Sequence, residues 1–119
     1  MDIWAYRDPS VTGQELVGYE MEGVDGKIGT IDEATAEAGS SFLVVDTGPW
    51  IFGHKSMLPA GVVQRVDHGQ ERVYVDCAKD EIRHAPEFDE SRYLEPSYRD
   101  EIAGYYATGR AARAFDQPL

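Results

Sequence analysis

Three histidines, His54, His68 and His84, are the residues of this chain best suited to hold a metal ion or to transfer a proton. They stand 14 and 16 positions apart, and no two of them form a His-x-His or His-x-x-x-His pair. Metal ligands must converge to within about 2–2.6 Å of one ion, which such spacings do not favour. The sequence therefore predicts exposed histidines in turns and no metal site.

Cys77 is the one cysteine of the chain, so it forms neither an intramolecular disulfide nor a cysteine-rich zinc site. A catalytic thiol needs a pKa lowered by a nearby cation or a helix N-terminus, and Lys79 and a short helical pattern follow here. Asp76 and Asp80 nevertheless flank the position, and no cysteine-protease signature surrounds it. We expect Cys77 to be a small buried hydrophobic residue.

Glu87, Asp89 and Glu90 are the densest group of carboxylates. Paired acids can act as general acid and base when burial separates their pKa values, but this segment is polar and follows Pro86, which predicts solvated side chains. The sequence also lacks a glycine-rich phosphate-binding loop and a Gly-x-Ser-x-Gly nucleophile motif. We expect no catalytic residue, no cofactor and no enzymatic activity.

Aromatic and apolar side chains remain as candidates for a contact surface, because aromatic residues are enriched at the energetic centres of protein interfaces. They fall in an N-terminal arm, in an apolar cluster beside a Gly-Pro break, and along one face of a late helix. Two interpretations stay open: these groups cover their own barrel, or they contact another protein. The candidate interface residues are Trp4, Tyr6, Trp50, Ile51, Phe52, Tyr98, Tyr105 and Tyr106.

Short β-compatible runs separated by turn residues must position these groups. Asp25-Gly26 between two such runs predicts a hairpin turn in which both residues have positive φ. The run 42–46 predicts a buried strand, and Pro59 excludes a central strand at its own position. About six short strands in roughly 60 residues leave no room for crossover helices, which predicts a small antiparallel β-barrel.

A short helix is expected over 78–84, after the strands. Ser97 can cap a second helix over about 97–108, which Gly109 would end. Residues of this helix that repeat at helical spacing predict one apolar stripe. The stripe consists of Tyr98, Ile102, Tyr105 and Tyr106.

The 119 residues carry 22 acidic and 11 basic side chains, a net charge of −11. A negative protein repels nucleic-acid backbones and anionic membrane surfaces, so neither is an expected direct partner, whereas a basic protein is favoured. No run approaches the roughly 18 apolar residues of a membrane-spanning helix, and the first residues do not match a signal peptide. We therefore expect a cytoplasmic protein without membrane insertion.

Three motifs follow one another along the chain: Asp25-Gly26-Lys27-Ile28-Gly29, then Leu58-Pro59, then Val73-Tyr74-Val75 followed by Lys79-Asp80-Glu81 and Pro86. Their order resembles the PRC-barrel family. The resemblance covers residues 12–87, with an arm over 1–11 before it and a helical extension over 88–119 after it. It implies a mainly β, six-stranded, partly open barrel without catalytic residues, in which Asp25, Gly26 and Gly29 are structural.

The family resemblance also implies a role in protein–protein contact and assembly. We expect a non-catalytic interaction module that self-associates, with a homodimer as the favoured state. The alternative is an adaptor in ribosome maturation that acts through a basic protein partner, since a ribosome-maturation factor contains such a barrel. A small-ligand carrier or a small enzyme is the third interpretation, although side chains fill the interior of so small a barrel.

Overall fold

The computed structural model describes residues 3–37, 39–48 and 55–116, with the backbone alone from 109 onward. Strands within these residues are β1 (Glu20–Gly23), β2 (Gly26–Ala34), β3 (Phe42–Asp46), β4 (Lys55–Pro59), β5 (Val63–Asp67) and β6 (Arg72–Val75). They form one six-stranded sheet in the spatial order β4-β3-β2-β1-β6-β5. The predicted mainly β fold is confirmed, and β3 has the bounds predicted for it.

The sheet curls on itself because of how its two edges are connected. β4 and β5 lie at opposite edges although they follow one another along the chain. A single turn of 3-10 helix, Ala60–Val62, joins them. Three residues span only about 10 Å even when extended, so the two edges meet at this corner. The result is a small, barrel-like fold.

One strand pair corrects the antiparallel prediction, since β1 and β6 run parallel. The other neighbouring pairs in the described part of the sheet are antiparallel. The cause is topological: the chain passes from one edge of the sheet to the other between β4 and β5, and β6 returns against β1. The direction of β6 therefore follows from this passage, which no local sequence pattern encodes.

Three bulges in the described strands add curvature. The register shifts leave Ile28, Asp32 and Gln64 without a partner residue on the neighbouring strand. A bulge bends its strand and increases the local twist, which helps a short sheet to close. Each bulge also shifts the alternation of inward and outward side chains, so that Asp32 and the adjacent Glu33 are both exposed.

The β1–β2 turn consists of Val24 and Asp25, because Gly23 and Gly26 form the last residue pair. Gly26 has a φ of 125°, whereas Asp25 is not among the residues with positive φ. The prediction of positive φ was therefore wrong for Asp25. Its carboxylate Oδ1 instead accepts a hydrogen bond of 3.0 Å from the backbone N–H of Lys79, which ties the hairpin to the helix that follows β6.

The helices are α1 (Lys79–Arg83) and α2 (Pro96–Asp116). The predicted end near residue 108 was wrong, because α2 continues through Gly109. An interior glycine costs a helix only about 1 kcal/mol, and the alanines and arginines that follow favour helix. No helix in the described part of the chain is long and apolar enough to span a membrane.

The hydrophobic core lies inside the curled sheet, and α2 is part of it. Tyr98, Ile102 and Tyr106 are only 2%, 0% and 0% exposed. Removing a large apolar side chain from water contributes about 1.5–3 kcal/mol, so this stripe binds the helix firmly to its own barrel. The strand residues that are fully buried include Met21, Ile28, Leu43, Val44, Val45, Met57, Leu58 and Val73.

Candidate functional site

The N-terminal arm covers the corner where the sheet edges meet. Ile3 O accepts a 2.7 Å hydrogen bond from Gly61 N–H, and Trp4 O accepts one of 2.8 Å from Ser41 N–H. Trp4 and Tyr6 are half-buried and pack against the core. Burial raises the pKa of the Tyr6 hydroxyl above its usual value. These two candidate interface residues therefore have an intramolecular packing role.

The three tyrosines of the helical stripe also face their own barrel. Tyr98 and Tyr106 lie in the core and have no surface left to bury on a partner. Tyr105 is half-buried, and its hydroxyl donates a hydrogen bond to the backbone oxygen of Glu81 in α1. The stripe is thus an internal joint between α2 and the sheet. The burial of Tyr98 and Tyr106 corrects their assignment as candidate interface residues, whereas a partner contact at Tyr105 stays a prediction.

Arg99 is a central residue of this joint that the sequence reasoning missed. Its guanidinium carbon lies 5.2 Å from the Trp4 ring centroid and 5.3 Å from that of Phe42. The same group donates hydrogen bonds of 3.1 Å to Tyr93 O and 3.3 Å to Ser40 O. Arg99 thus connects the arm and the sheet to α2. In the sequence, only its position next to Tyr98 indicated that it lies near the core.

The apolar cluster Trp50, Ile51 and Phe52 lies outside the described residues, as does His54. The homodimer expected from this cluster stays a prediction.

Asp25 and Gly26 lie in the β1–β2 hairpin, beside the start of α1. Gly29 faces the end of β3, where an added Cβ would come within 2.1 Å of Asp46 O, so only glycine fits.

The groups considered for catalysis are separated from one another. His68 Nδ1 lies 3.1 Å from the Tyr19 hydroxyl, and His84 Nδ1 donates to Asp80 O at 2.9 Å. Cys77 is fully buried. Within the described ranges, no three His, Cys, Asp or Glu residues are grouped so that they could hold a metal ion.

A concave surface does run along the junction between the sheet and the segment that precedes α2. One cavity of about 460 Å³ is lined by Pro86, Glu87, Phe88, Asp89, Glu90, Arg92, Tyr98 and Glu101. A second cavity of about 300 Å³ is lined by Asp32, Glu33, Lys55, Phe88, Glu90 and Tyr93. Phe88 and Glu90 line both cavities, which therefore adjoin each other, and we call the two cavities together the acidic groove.

Aromatic contacts hold the floor of the acidic groove in place. The Tyr93 ring lies 5.5 Å from that of Phe88 and 5.9 Å from that of Phe42, measured between centroids. The Tyr98 hydroxyl donates a 2.5 Å hydrogen bond to Glu87 O and accepts one of 3.3 Å from Asp89 N–H. The shape of the loop therefore depends on a core residue of α2.

The charge of the acidic groove comes from three distant parts of the chain. Asp32 and Glu33 point outward together because of the bulge in β2, and Glu101 is exposed on α2. The loop contributes the remaining carboxylates, and among these Glu87 and Glu90 are exposed, as predicted. The residues that line it include six acids and two bases.

Both bases of the acidic groove already have acidic partners. Lys55 Nζ lies 2.7 Å from Asp32, a hydrogen bond that raises the pKa of Lys55. Arg92 lies 3.4 Å from Glu95. A hydrogen bond from the Ser91 hydroxyl lowers the pKa of Asp89, which keeps that carboxylate charged. The ion pairs of the described residues include neither Glu33, Glu90 nor Glu101. The groove thus retains a surplus of negative charge.

No protein-family model matches the chain, and no curated protein matches it either. Among solved structures, its fold is similar to that of a 16S ribosomal RNA processing protein, RimM, from Pseudomonas aeruginosa. The TM-score is 0.50 and the sequence identity is 22%. The match covers 62% of this chain and 48% of that protein, so the chain spans about half its length. At this identity, the likeness concerns the fold.

Proposed function

We propose that this chain is a non-catalytic protein-binding module of the PRC-barrel type and that its partner is a basic protein. The observation that carries the proposal is the acidic groove, with six acids against two bases in one concave surface. Complementary charge across an interface accelerates encounter and excludes partners of the wrong sign. The net charge of −11 acts in the same direction over the whole molecule.

The non-catalytic part of the proposal rests on the chemistry of the candidate groups. Cys77 is buried, and His68 and His84 interact with Tyr19 and Asp80 at separate places. A general acid or base must lie within hydrogen-bond reach of the proton that it transfers, and these side chains do not converge on one place. The acids of the groove are mostly solvated, which suits recognition of a cation better than proton transfer.

A role in ribosome maturation is the more specific form of this proposal. The similarity of fold to a 16S ribosomal RNA processing protein favours it. The acidic surface disfavours direct contact with RNA phosphates. The adaptor would therefore bind a ribosomal protein, and co-sedimentation with ribosomal subunits would weaken as salt is raised, because salt screens exposed charges.

Affinity capture of the tagged chain, with and without nuclease, tests the proposal directly. We expect a stoichiometric basic protein that resists nuclease and is released by salt. Recovery of the bait alone, or of material that nuclease removes, would overturn it. Mass spectrometry of the captured protein then tests the link to the ribosome.

Self-association is tested separately by light scattering at low micromolar concentration. The double substitution Trp50→Ser and Phe52→Ser should raise the dissociation constant of the expected homodimer, because it removes apolar area from the contact. An unchanged mass would exclude this cluster as the dimer contact and would leave the heterologous partner as the function of the module.

A further inference from the structure

We infer that the acidic groove binds an extended segment of the partner in which two basic side chains flank one apolar side chain, each two positions apart. This inference rests on the proposed function, because it specifies how a basic protein would be recognised. It follows from three properties of the groove: its division into two cavities, the surplus charge of each cavity, and the aromatic ring between them.

Each cavity has room and charge for one incoming cation. The larger contains Glu87, Asp89, Glu90 and Glu101 against Arg92. The smaller contains Asp32, Glu33 and Glu90 against Lys55. Lys55 already pairs with Asp32, and Arg92 with Glu95 outside the groove. A lysine or arginine entering either cavity therefore meets carboxylates that lie outside the ion pairs of the described residues, Glu90 and Glu101 in the larger cavity or Glu33 and Glu90 in the smaller.

Phe88 lines both cavities, and its partly exposed ring is suited to an apolar contact. Its side chain is half-buried and lines both of them, while its ring packs on Tyr93 at 5.5 Å. An aromatic surface that is partly exposed gains free energy when an apolar group covers it. The central side chain of the bound segment would take this position, between the two basic ones.

The spacing follows from the geometry of an extended chain. Side chains at i, i+2 and i+4 of a strand point to one side and are about 6.6–7 Å apart. In the segment that we infer, one such side chain enters the larger cavity, the next covers the Phe88 ring and the third enters the smaller cavity. The pattern required is basic-x-apolar-x-basic.

Recognition by side chains, not by strand addition, is expected at this place. Phe88 N–H donates a 3.2 Å hydrogen bond to Lys55 O, so the loop already occupies the start of the β4 edge. A partner strand would have to displace this contact. Specificity then depends on the charges and the ring, which makes it measurable with short peptides.

The test is fluorescence polarisation with a labelled peptide that contains Arg-Ser-Leu-Ser-Arg. The matched peptides are Arg-Ser-Ser-Ser-Arg, Glu-Ser-Leu-Ser-Glu, and an isomer in which both arginines precede the leucine. We expect the first peptide to bind most tightly. Its affinity should fall as salt rises from about 0.01 M to about 0.15 M, where the Debye length shortens from about 30 Å to about 8 Å.

Charge reversal in the protein locates the site. The double variant Glu90→Lys and Glu101→Lys should weaken binding about tenfold, as expected for several altered charge contacts of modest individual strength. Glu71→Lys is the control, since Glu71 is exposed at the β5–β6 turn on the other half of the sheet. Combined with Asp80→Lys, it changes the net charge by the same amount as the groove variant and alters no residue that lines the groove. Circular dichroism verifies that the variants are folded.

Equal weakening by the groove and control variants would overturn the inference, because net charge alone would then explain binding. Equal affinity for the arginine isomer would overturn the proposed spacing. If affinity capture yields a basic partner that these peptides and variants do not affect, this inference fails while the proposed function stands. If capture yields no basic partner, the proposed function itself fails.

Discussion

The sheet and the joint between α2 and the sheet are held together in different ways. The buried residues of the strands are almost entirely aliphatic, and backbone ladders connect them. The joint instead uses aromatic rings, tyrosine hydroxyls and the guanidinium of Arg99. The acidic groove forms at the joint. A binding surface is thus shaped by specific polar contacts on a scaffold that is stabilised mainly by burial.

Two glycine substitutions give the sharpest contrast between these regions. Gly29→Ala in β2 would place Cβ within 2.1 Å of Asp46 O, a backbone atom that cannot move freely. We expect it to lower the free energy of unfolding by about 3 kcal/mol or more, as in severe overpacking. Gly104→Ala in α2 meets no described atom within 4 Å. It should raise stability by up to about 1 kcal/mol. Urea unfolding measures the free energy of unfolding of both variants. A loss of stability in Gly104→Ala would contradict the difference expected between the two regions.

The substitution Ile102→Ala tests whether α2 belongs to the same cooperative unit as the sheet. Ile102 is fully buried, so truncation should cost about 2–5 kcal/mol. We expect far-UV circular dichroism and tryptophan fluorescence to report a single transition at a lower denaturant concentration. Separate transitions for helix and sheet would instead make α2 an independent appendage.

The substitution Tyr98→Phe should weaken the joint without affecting its packing. It removes a hydroxyl that donates to Glu87 O and accepts from Asp89 N–H. We expect a loss of about 1 kcal/mol, the usual net contribution of such bonds. Binding of the arginine peptide should also weaken, because the loop that lines the groove loses its anchor. Unchanged stability and binding would show that the loop is held by its other contacts.

The substitution Tyr106→Phe should have the opposite effect on stability. The Tyr106 side chain is fully buried, and among the described residues its hydroxyl has no hydrogen-bond partner. A buried polar group without a partner costs about 1–3 kcal/mol, so its removal should raise stability, by up to about 1 kcal/mol after relaxation. Thermal unfolding compares it directly with Tyr98→Phe, and a destabilised protein would imply a partner for this hydroxyl.

High pH should open the joint between α2 and the sheet. Burial raises the pKa values of Tyr98, Tyr105 and Tyr106 above the usual value of 10. A folded-state pKa above the unfolded one means that stability is intact below about pH 10 and falls as pH rises further. We expect phenolate absorbance and loss of helix to rise together above that pH. Ionisation of these tyrosines without unfolding would contradict their burial.

Local patterns predicted much of the scaffold. The apolar run at Phe42–Asp46 and the stripe Tyr98, Ile102 and Tyr106 specify a strand and a helix by their periodicity, and both formed. The prediction failed where the outcome depends on distant residues. The bulge at Asp32, the parallel pairing of β6 and the position of Arg99 each require contacts far apart in sequence.

Sequence alone determined the net charge, the existence of most strands, and the amphipathic character of α2, because these depend on composition and on neighbouring residues. Only the tertiary structure decided that α2 covers its own barrel and that carboxylates near positions 32, 90 and 101 line one groove. The physical reason is that a concave surface arises from chain segments brought together by closure of the sheet. No single segment carries that information.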